Sequence, residues 1–266
     1  MRLLPFILLL LFSCQLFAQG EIDNQERTFW RNERAWGLTA YSNGWSVGFY
    51  DYRQTKPGNR LFIETEFGSY KDAKEIKIQN YYFYSPYSFK YGKINSNWHI
   101  SLGLGYQHEI YEKRDLGGVS IGWFVAGGPV LTFCKPIYYK VITQDTTTNE
   151  LTTKDMKFDL NSMMPIDIYG RSSFFKGFDE IKLYPGIYGH GGFTFEYSKN
   201  DRMTHTIEVG TMMAGYMKKI PILNNEYNKQ FFFTLFVSYK VGIILEPLKM
   251  KNDFLYNLFN HKKDKS

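Results

Sequence analysis

The sequence predicts an all-β fold, a transmembrane antiparallel up-and-down β-barrel of about ten strands within a range of roughly 8–12. Three observations predict it. Apolar and polar residues alternate with a period of two in segments spread from residue 36 to residue 243, the pattern of strands with one face in lipid and the other in a lumen. Aromatic residues make up 18% of the chain, with 21 Tyr and 23 Phe, and aromatics concentrate at both bilayer interfaces of such barrels. Beyond residue 18 no apolar run approaches the roughly 20 residues of a transmembrane helix, and a mean hydropathy of −0.36 suits strands that are apolar on one face only.

The elements follow in chain order. Residues 1–18 read as a secretory signal peptide, with Arg2 at the start, an apolar stretch from Leu3 to Phe12 broken only by Pro5, and small Ala18 at the end. A competing reading makes Cys14 a lipid-anchored residue, although Phe12 is bulkier than the small residues usual beside such a cysteine. With residues 1–18 removed, Cys134 is the remaining cysteine, which leaves no intramolecular disulfide and no cysteine-based zinc or redox motif. Residues 19–34 form a polar lead-in, 35–244 the barrel, and 245–266 a basic periplasmic tail. In that tail Phe254, Leu255, Leu258 and Phe259 have helix-like spacing, which fits an amphipathic helix on the leaflet surface as well as a disordered end.

Strands are expected near 35–42, 45–53, 60–70, 86–94, 97–111, 118–126, 130–141, 186–198, 204–217 and 230–243. In 97–111, Trp98, Ile100, Leu102 and Leu104 alternate with His99, Ser101, Gly103 and Gly105; in 230–243, Phe233, Leu235, Val237 and Tyr239 alternate with Thr234, Ser238 and Lys240. Inner turns are expected at 54–59 with Pro57-Gly58, at Asn95-Ser96, at Gly127-Gly128-Pro129 and at 199–203, all rich in turn formers. Outer connections are expected at 71–85, 112–117, 142–185 and 218–229, with Asn43-Gly44 as one tight outer hairpin. The loop 142–185 is long enough to carry local structure or function, and its Thr-rich start suits solvent.

Several stretches resemble a known group. Ser42-Asn43-Gly44 before an aromatic strand, Glu75-Ile76-Lys77-Ile78-Gln79-Asn80, Tyr91-Gly92-Lys93-Ile94-Asn95-Ser96, and Gly117-Gly118-Val119 running on to Gly127-Gly128-Pro129 and Lys135-Pro136-Ile137-Tyr138 are similar to uncharacterised Bacteroidota-type outer-membrane β-barrel proteins. A looser similarity extends to PorT-like barrels. The resemblance implies the fold and an outer-membrane location; it brings no functional residues with it.

Chemistry-bearing motifs are sparse. Gly118-Val119-Ser120-Ile121-Gly122 matches the pattern of a nucleophile elbow, but Ser120 lies in an alternating strand with no helix after it, where an elbow cannot form. His108, His205 and His261 lack metal-ligand spacing. No cofactor is expected. The net charge of +6 is scattered except at the tail, and no nucleic-acid partner is expected. The titratable residues on predicted lumen faces are Glu64, Glu66, Lys90, His99, Glu109, His190, Glu196, Glu208 and Lys240. Buried charge is costly unless paired, so they are expected to form a network that fills the lumen and fixes register; a rival reading makes His190 and Glu196 an acid–base pair. Partners expected are outer-membrane lipid and an envelope protein met through loop 142–185. These expectations describe a non-enzymatic envelope component, with a narrow passive channel or an enzyme acting on envelope lipid or peptide as alternatives, and a soluble β-sandwich as the reading without a membrane.

Overall fold

Alternation carries the chain into a closed barrel in the computed structural model, which describes residues 31–245 apart from 73, 83–84, 112–117, 145–150, 160–162, 201 and 225–227. The expected signal peptide 1–18, most of the expected lead-in 19–34 and the tail beyond residue 245 lie outside the described residues. In chain order the strands are β1 (Asn32–Tyr41), β2 (Gly44–Lys56), β3 (Asn59–Tyr70), β4 (Lys77–Gln79), β5 (Ser88–Lys90), β6 (Asn95–Tyr111), β7 (Val119–Pro136), β8 (Tyr138–Gln144), β9 (Leu151–Lys157), β10 (Ile168–Arg171), β11 (Lys182–Asn200), β12 (Met203–Tyr216) and β13 (Phe231–Leu245).

Eight of these close the barrel in the order β1-β13-β12-β11-β7-β6-β3-β2, and every neighbouring pair is antiparallel. The closing ladder runs from Asn32 opposite Leu245 to Tyr41 opposite Phe236, so no barrel edge is left unpaired.

The count is eight where about ten were expected, for two reasons. Residues 86–94 are not a barrel strand: only Ser88–Lys90 is extended, and it pairs with β4 in a separate two-stranded sheet. Gly127-Gly128-Pro129 is not a turn, because β7 runs through it, paired with β11 from Val119 opposite Tyr197 to Cys134 opposite Lys182. Asn95-Ser96 likewise opens β6 instead of turning. The connection 112–117 lies outside the described residues, but the strands it joins meet at the end where β1 begins and β13 ends, opposite to the end expected.

The two ends differ. At the terminal end β2 and β3 are linked by Pro57-Gly58, and β11 and β12 follow within two residues. At the other end lie the tight turn at Ser42-Asn43 and the three long connections β3–β6, β7–β11 and β12–β13. Two of these fold together as a cap, with β8 between β10 and β9 in one sheet and β4 paired with β5 in another. The Asn80 amide nitrogen donates to Ile166 O at 2.6 Å and Ile168 O at 3.0 Å, and the Tyr91 hydroxyl donates to Met163 O at 3.2 Å. Phe89, Ile137, Tyr139, Val141, Phe158, Met163 and Ile168 give the cap an apolar core of its own.

Side chains alternate across the barrel wall as the period demands. Trp36, Leu38, Ile100, Leu102, Leu104, Ile187, Phe193, Phe233 and Leu235 face outward and are exposed, Trp36 to 65% and Ile187 to 73%. A soluble sandwich would turn these faces into its core; here they form a continuous apolar belt far larger than soluble monomers tolerate. A closed strand barrel with such a belt is the architecture of an outer-membrane protein, and its place is the outer membrane.

Candidate functional site

The lumen holds the polar residues, stacked in three tiers. Nearest the start of β1 and the end of β13, Arg60 of β3 reaches carboxylates from three other strands: Glu33 of β1 at 3.1 Å, Glu196 of β11 at 3.0 Å and Glu109 of β6 at 3.5 Å. Arg31 bonds the other Glu196 oxygen at 2.5 Å, and the Thr204 hydroxyl donates to Glu33. Arg60 is 5% exposed. A planar guanidinium with five donors is the group that can serve several carboxylates at once.

In the middle tier Lys240 of β13 pairs with Glu208 of β12 at 2.8 Å and donates to the Tyr52 hydroxyl at 3.0 Å. Its ammonium lies 3.4 Å from the Tyr50 ring centroid, with Phe62 and Phe124 within 5.9 Å, a cation held by one anion and an aromatic cage. Beside it Glu64 of β3 accepts from the Tyr188 hydroxyl at 2.7 Å and lies 2.8 Å from His190 Nε2. Space for this cluster depends on Gly103, where an added Cβ would stand 2.2 Å from the Tyr188 hydroxyl and 2.8 Å from Glu64 Oε1.

In the tier beneath the cap Glu66 collects hydroxyl donors from Tyr41 at 2.7 Å, Ser46 at 3.0 Å and Tyr50 at 2.5 Å. His99 stacks on Tyr70, rings 4.1 Å apart and 7° from parallel, and both of its ring nitrogens are buried without a hydrogen-bond partner among the described residues. Above them the β12–β13 connection lowers Ile220, Ile222 and Leu223 into the same apolar cluster as Tyr41, Tyr70, Phe232 and Phe236. The Asn95 amide donates to Pro221 O at 2.7 Å and Ile94 N to Ile222 O at 3.1 Å, which anchors this plug to the start of β6.

Of the residues singled out in the sequence, Glu64 with His190, Glu208 with Lys240, and Glu109 with Glu196 through Arg60 are brought together. Glu66 and His99 sit in the lumen with hydroxyl and aromatic neighbours. Lys90 is a correction: it lies in the cap, paired with Glu75, because 86–94 leaves the barrel. The acid–base pair of His190 and Glu196 is also absent, since each binds a different partner in a different tier. Ser120 lies within β7 and is buried.

Sequence reading missed Arg60, Glu33 and Arg31. Arg60 shares the parity of Glu64 and Glu66 on β3, and Glu33 shares that of Ala35 and Thr39 on β1, so the signal was the same alternation carried two residues further. Among the described residues no group of three His, Cys, Asp or Glu side chains is placed to hold a metal ion.

No protein-family profile matches the chain, and no curated protein is similar to it in sequence. Among solved structures it is similar to the N-terminal β-barrel domain of Pseudomonas aeruginosa OprF, at 8% identity over 81% of this chain and 97% of that one, with a TM-score of 0.32. It is similar to Neisserial surface protein A at 8% identity over 81% and 95%, with a TM-score of 0.32. The attachment invasion locus protein Ail of Yersinia pestis matches at 7% identity over 82% and 100%, with a TM-score of 0.35. At such identities and scores nothing about those proteins carries over to this chain.

Proposed function

We propose that the protein is a non-enzymatic component of the outer membrane, structural or partner-binding, whose cap faces outward and meets an envelope protein through the segment 142–185. The observation that carries this reading is the contrast between the two halves of the molecule: a lumen sealed by paired side chains below a separately folded cap. Bacterial barrels keep short turns on the periplasmic side and long connections outside, which supports placing the chain termini inside and the cap outside. Export by the 1–18 signal and a periplasmic tail at 245–266 belong to the same proposal, and the stretches similar to Bacteroidota-type barrels support that origin. Met164 and Phe175 in the segment, with Tyr81, Tyr82 and Tyr87 on the neighbouring connection, expose large apolar surface; aromatics and Met are enriched at protein interfaces.

The channel alternative has no observation in its favour, since the tiers leave the lumen filled. The enzyme alternative loses its acid–base pair. To test the proposal, Met164→Ser/Phe175→Ser is expressed in a strain lacking the chromosomal copy. A barrel that still shows heat-modifiable migration but fails to restore the envelope phenotype of that strain is the expected result. Full restoration by the double variant would overturn the partner-binding role of the segment.

A further inference from the structure

Between β5 and β6 the chain turns through Lys90-Tyr91-Gly92-Lys93, closed by Lys93 N donating to Lys90 O at 3.3 Å. Gly92 has φ +78, a left-handed conformation that strains any residue with a side chain. Tyr139 of β8 fixes the turn, its hydroxyl lying 2.8 Å from Lys90 O and 2.7 Å from Lys93 O. Both lysine ammonium groups then point to one side. There Glu75 receives them, Lys93 on one carboxylate oxygen at 2.5 Å and Lys90 on the other.

These lysines border a pocket of about 160 Å³ whose polar lining is Lys77, Lys90, Lys93, Arg171, Ser88 and Ser96. Among the described residues Glu75 is the carboxylate that pairs with any of the four cations. Lys77 and Arg171 are exposed, and the described polar contact of Arg171 is with the Ser96 hydroxyl at 3.4 Å. The pocket is therefore net positive. Burial, helped by the charges of Lys90 and Arg171, holds the Lys93 ammonium below the usual lysine range even with Glu75 beside it.

Depth in the molecule matters too. Ser96 and Ile137 of the lining stand at the capped ends of β6 and β7. Close by, Trp98 packs against Phe174 and Phe178 with centroids 5.8 and 6.3 Å apart, and these two with Phe175 are exposed, as aromatics are at the lipid–water interface. The pocket thus lies beside an exposed aromatic cluster of the kind found at headgroup level.

We infer that this pocket is a binding site for a tetrahedral oxyanion of the phosphate class, held by Lys77 and Arg171 with hydroxyl donors from Ser88 and Ser96, while Glu75 fixes Lys90 and Lys93 behind it. Charge-assisted hydrogen bonds from several donors are the usual chemistry of phosphate recognition. The group comes either from phosphate in solution or from a phosphorylated lipid headgroup. Access from the outer leaflet rests on the orientation proposed above; binding in detergent does not, so the two fail separately.

The mature protein is refolded in zwitterionic detergent and titrated calorimetrically with inorganic phosphate, and in parallel with mixed micelles carrying phosphatidic acid. Saturable binding is expected, weakened roughly tenfold or more in Lys77→Ala/Arg171→Ala and unchanged in Lys154→Ala, which removes an exposed cation elsewhere on the cap. Saturation by inorganic phosphate supports the site with a soluble ligand; saturation by phosphatidic acid alone supports it with a lipid ligand. Absence of saturable binding to both probes, or equal binding by the double variant, would overturn the inference and leave only diffuse attraction to a basic chain.

Discussion

At the residue scale the barrel is held by a few cations that answer carboxylates from distant strands. Glu64 meets His190 across 126 residues of sequence and Arg60 meets Glu196 across 136. Period-two parity told which side chains face the lumen; it is silent on which tier each occupies, because tier depends on how strands are staggered around the barrel. Hence the lumen face was legible and the partnerships were not. The cost of losing one partner follows from burial: without Arg60, Glu33 and Glu196 become buried carboxylates short of a partner, a change typically worth about 3–5 kcal/mol. Arg60→Met is therefore expected to unfold in detergent at markedly lower urea than the wild type. Glu109→Gln, which loses only the longer 3.5 Å contact of a less buried carboxylate, should shift the midpoint far less. Equal midpoints for Arg60→Met and wild type would show that the Arg60 cluster contributes no net stability.

At the element scale two sequence expectations erred in the same sense, each adding a strand, and their effects on strand direction cancelled. Taking 86–94 as a strand added one crossing, and breaking β7 at Gly127-Gly128-Pro129 added another, so β6 and the first half of β7 were reversed while the second half of β7 and everything from β11 onward kept their direction. The second error has a physical cause. Pro129 lacks an N–H, yet β7 keeps its β11 ladder unbroken there, and the β6 ladder lapses opposite Leu102 and Gly103 before resuming in the same register with Leu104 opposite Gly127. A proline whose absent donor faces a gap in one ladder can stay in a strand. The cap gives a pH prediction. Burial pushes the Glu75 carboxyl up, but the hydrogen bonds and charges of Lys90 and Lys93 outweigh it and the net shift is downward. A depressed carboxyl contributes stability above its unfolded pKa of about 4.3, and that contribution disappears as pH falls through the folded value. The cap is expected to loosen in acid. Limited proteolysis with an acid-active protease is the check: cleavage within 71–94 should rise steeply below about pH 4 in the wild type. Glu75→Gln, whose amide no longer titrates, should be cut readily at all pH values; cleavage of the wild type independent of pH would refute the ion-pair account.

At the scale of the whole molecule the number of strands and the filling of the lumen are one fact seen twice. A barrel of about eight strands encloses a space that side chains can just occupy, and each tier here occupies it by a different means: carboxylates around Arg60, an aromatic cage around Lys240, hydroxyls around Glu66, and Ile220 and Ile222 above. Because the tiers seal independently, opening one does not open a path. The mature protein is therefore expected to be silent in planar lipid bilayers, and Ile220→Ser/Ile222→Ser, which loosens the plug, is expected to be silent as well. Steps in the double variant alone would locate the seal in the plug and deny the lower tiers their part. Reproducible steps in the wild type would mean that the lumen opens in the membrane, and would return the protein to the channel reading.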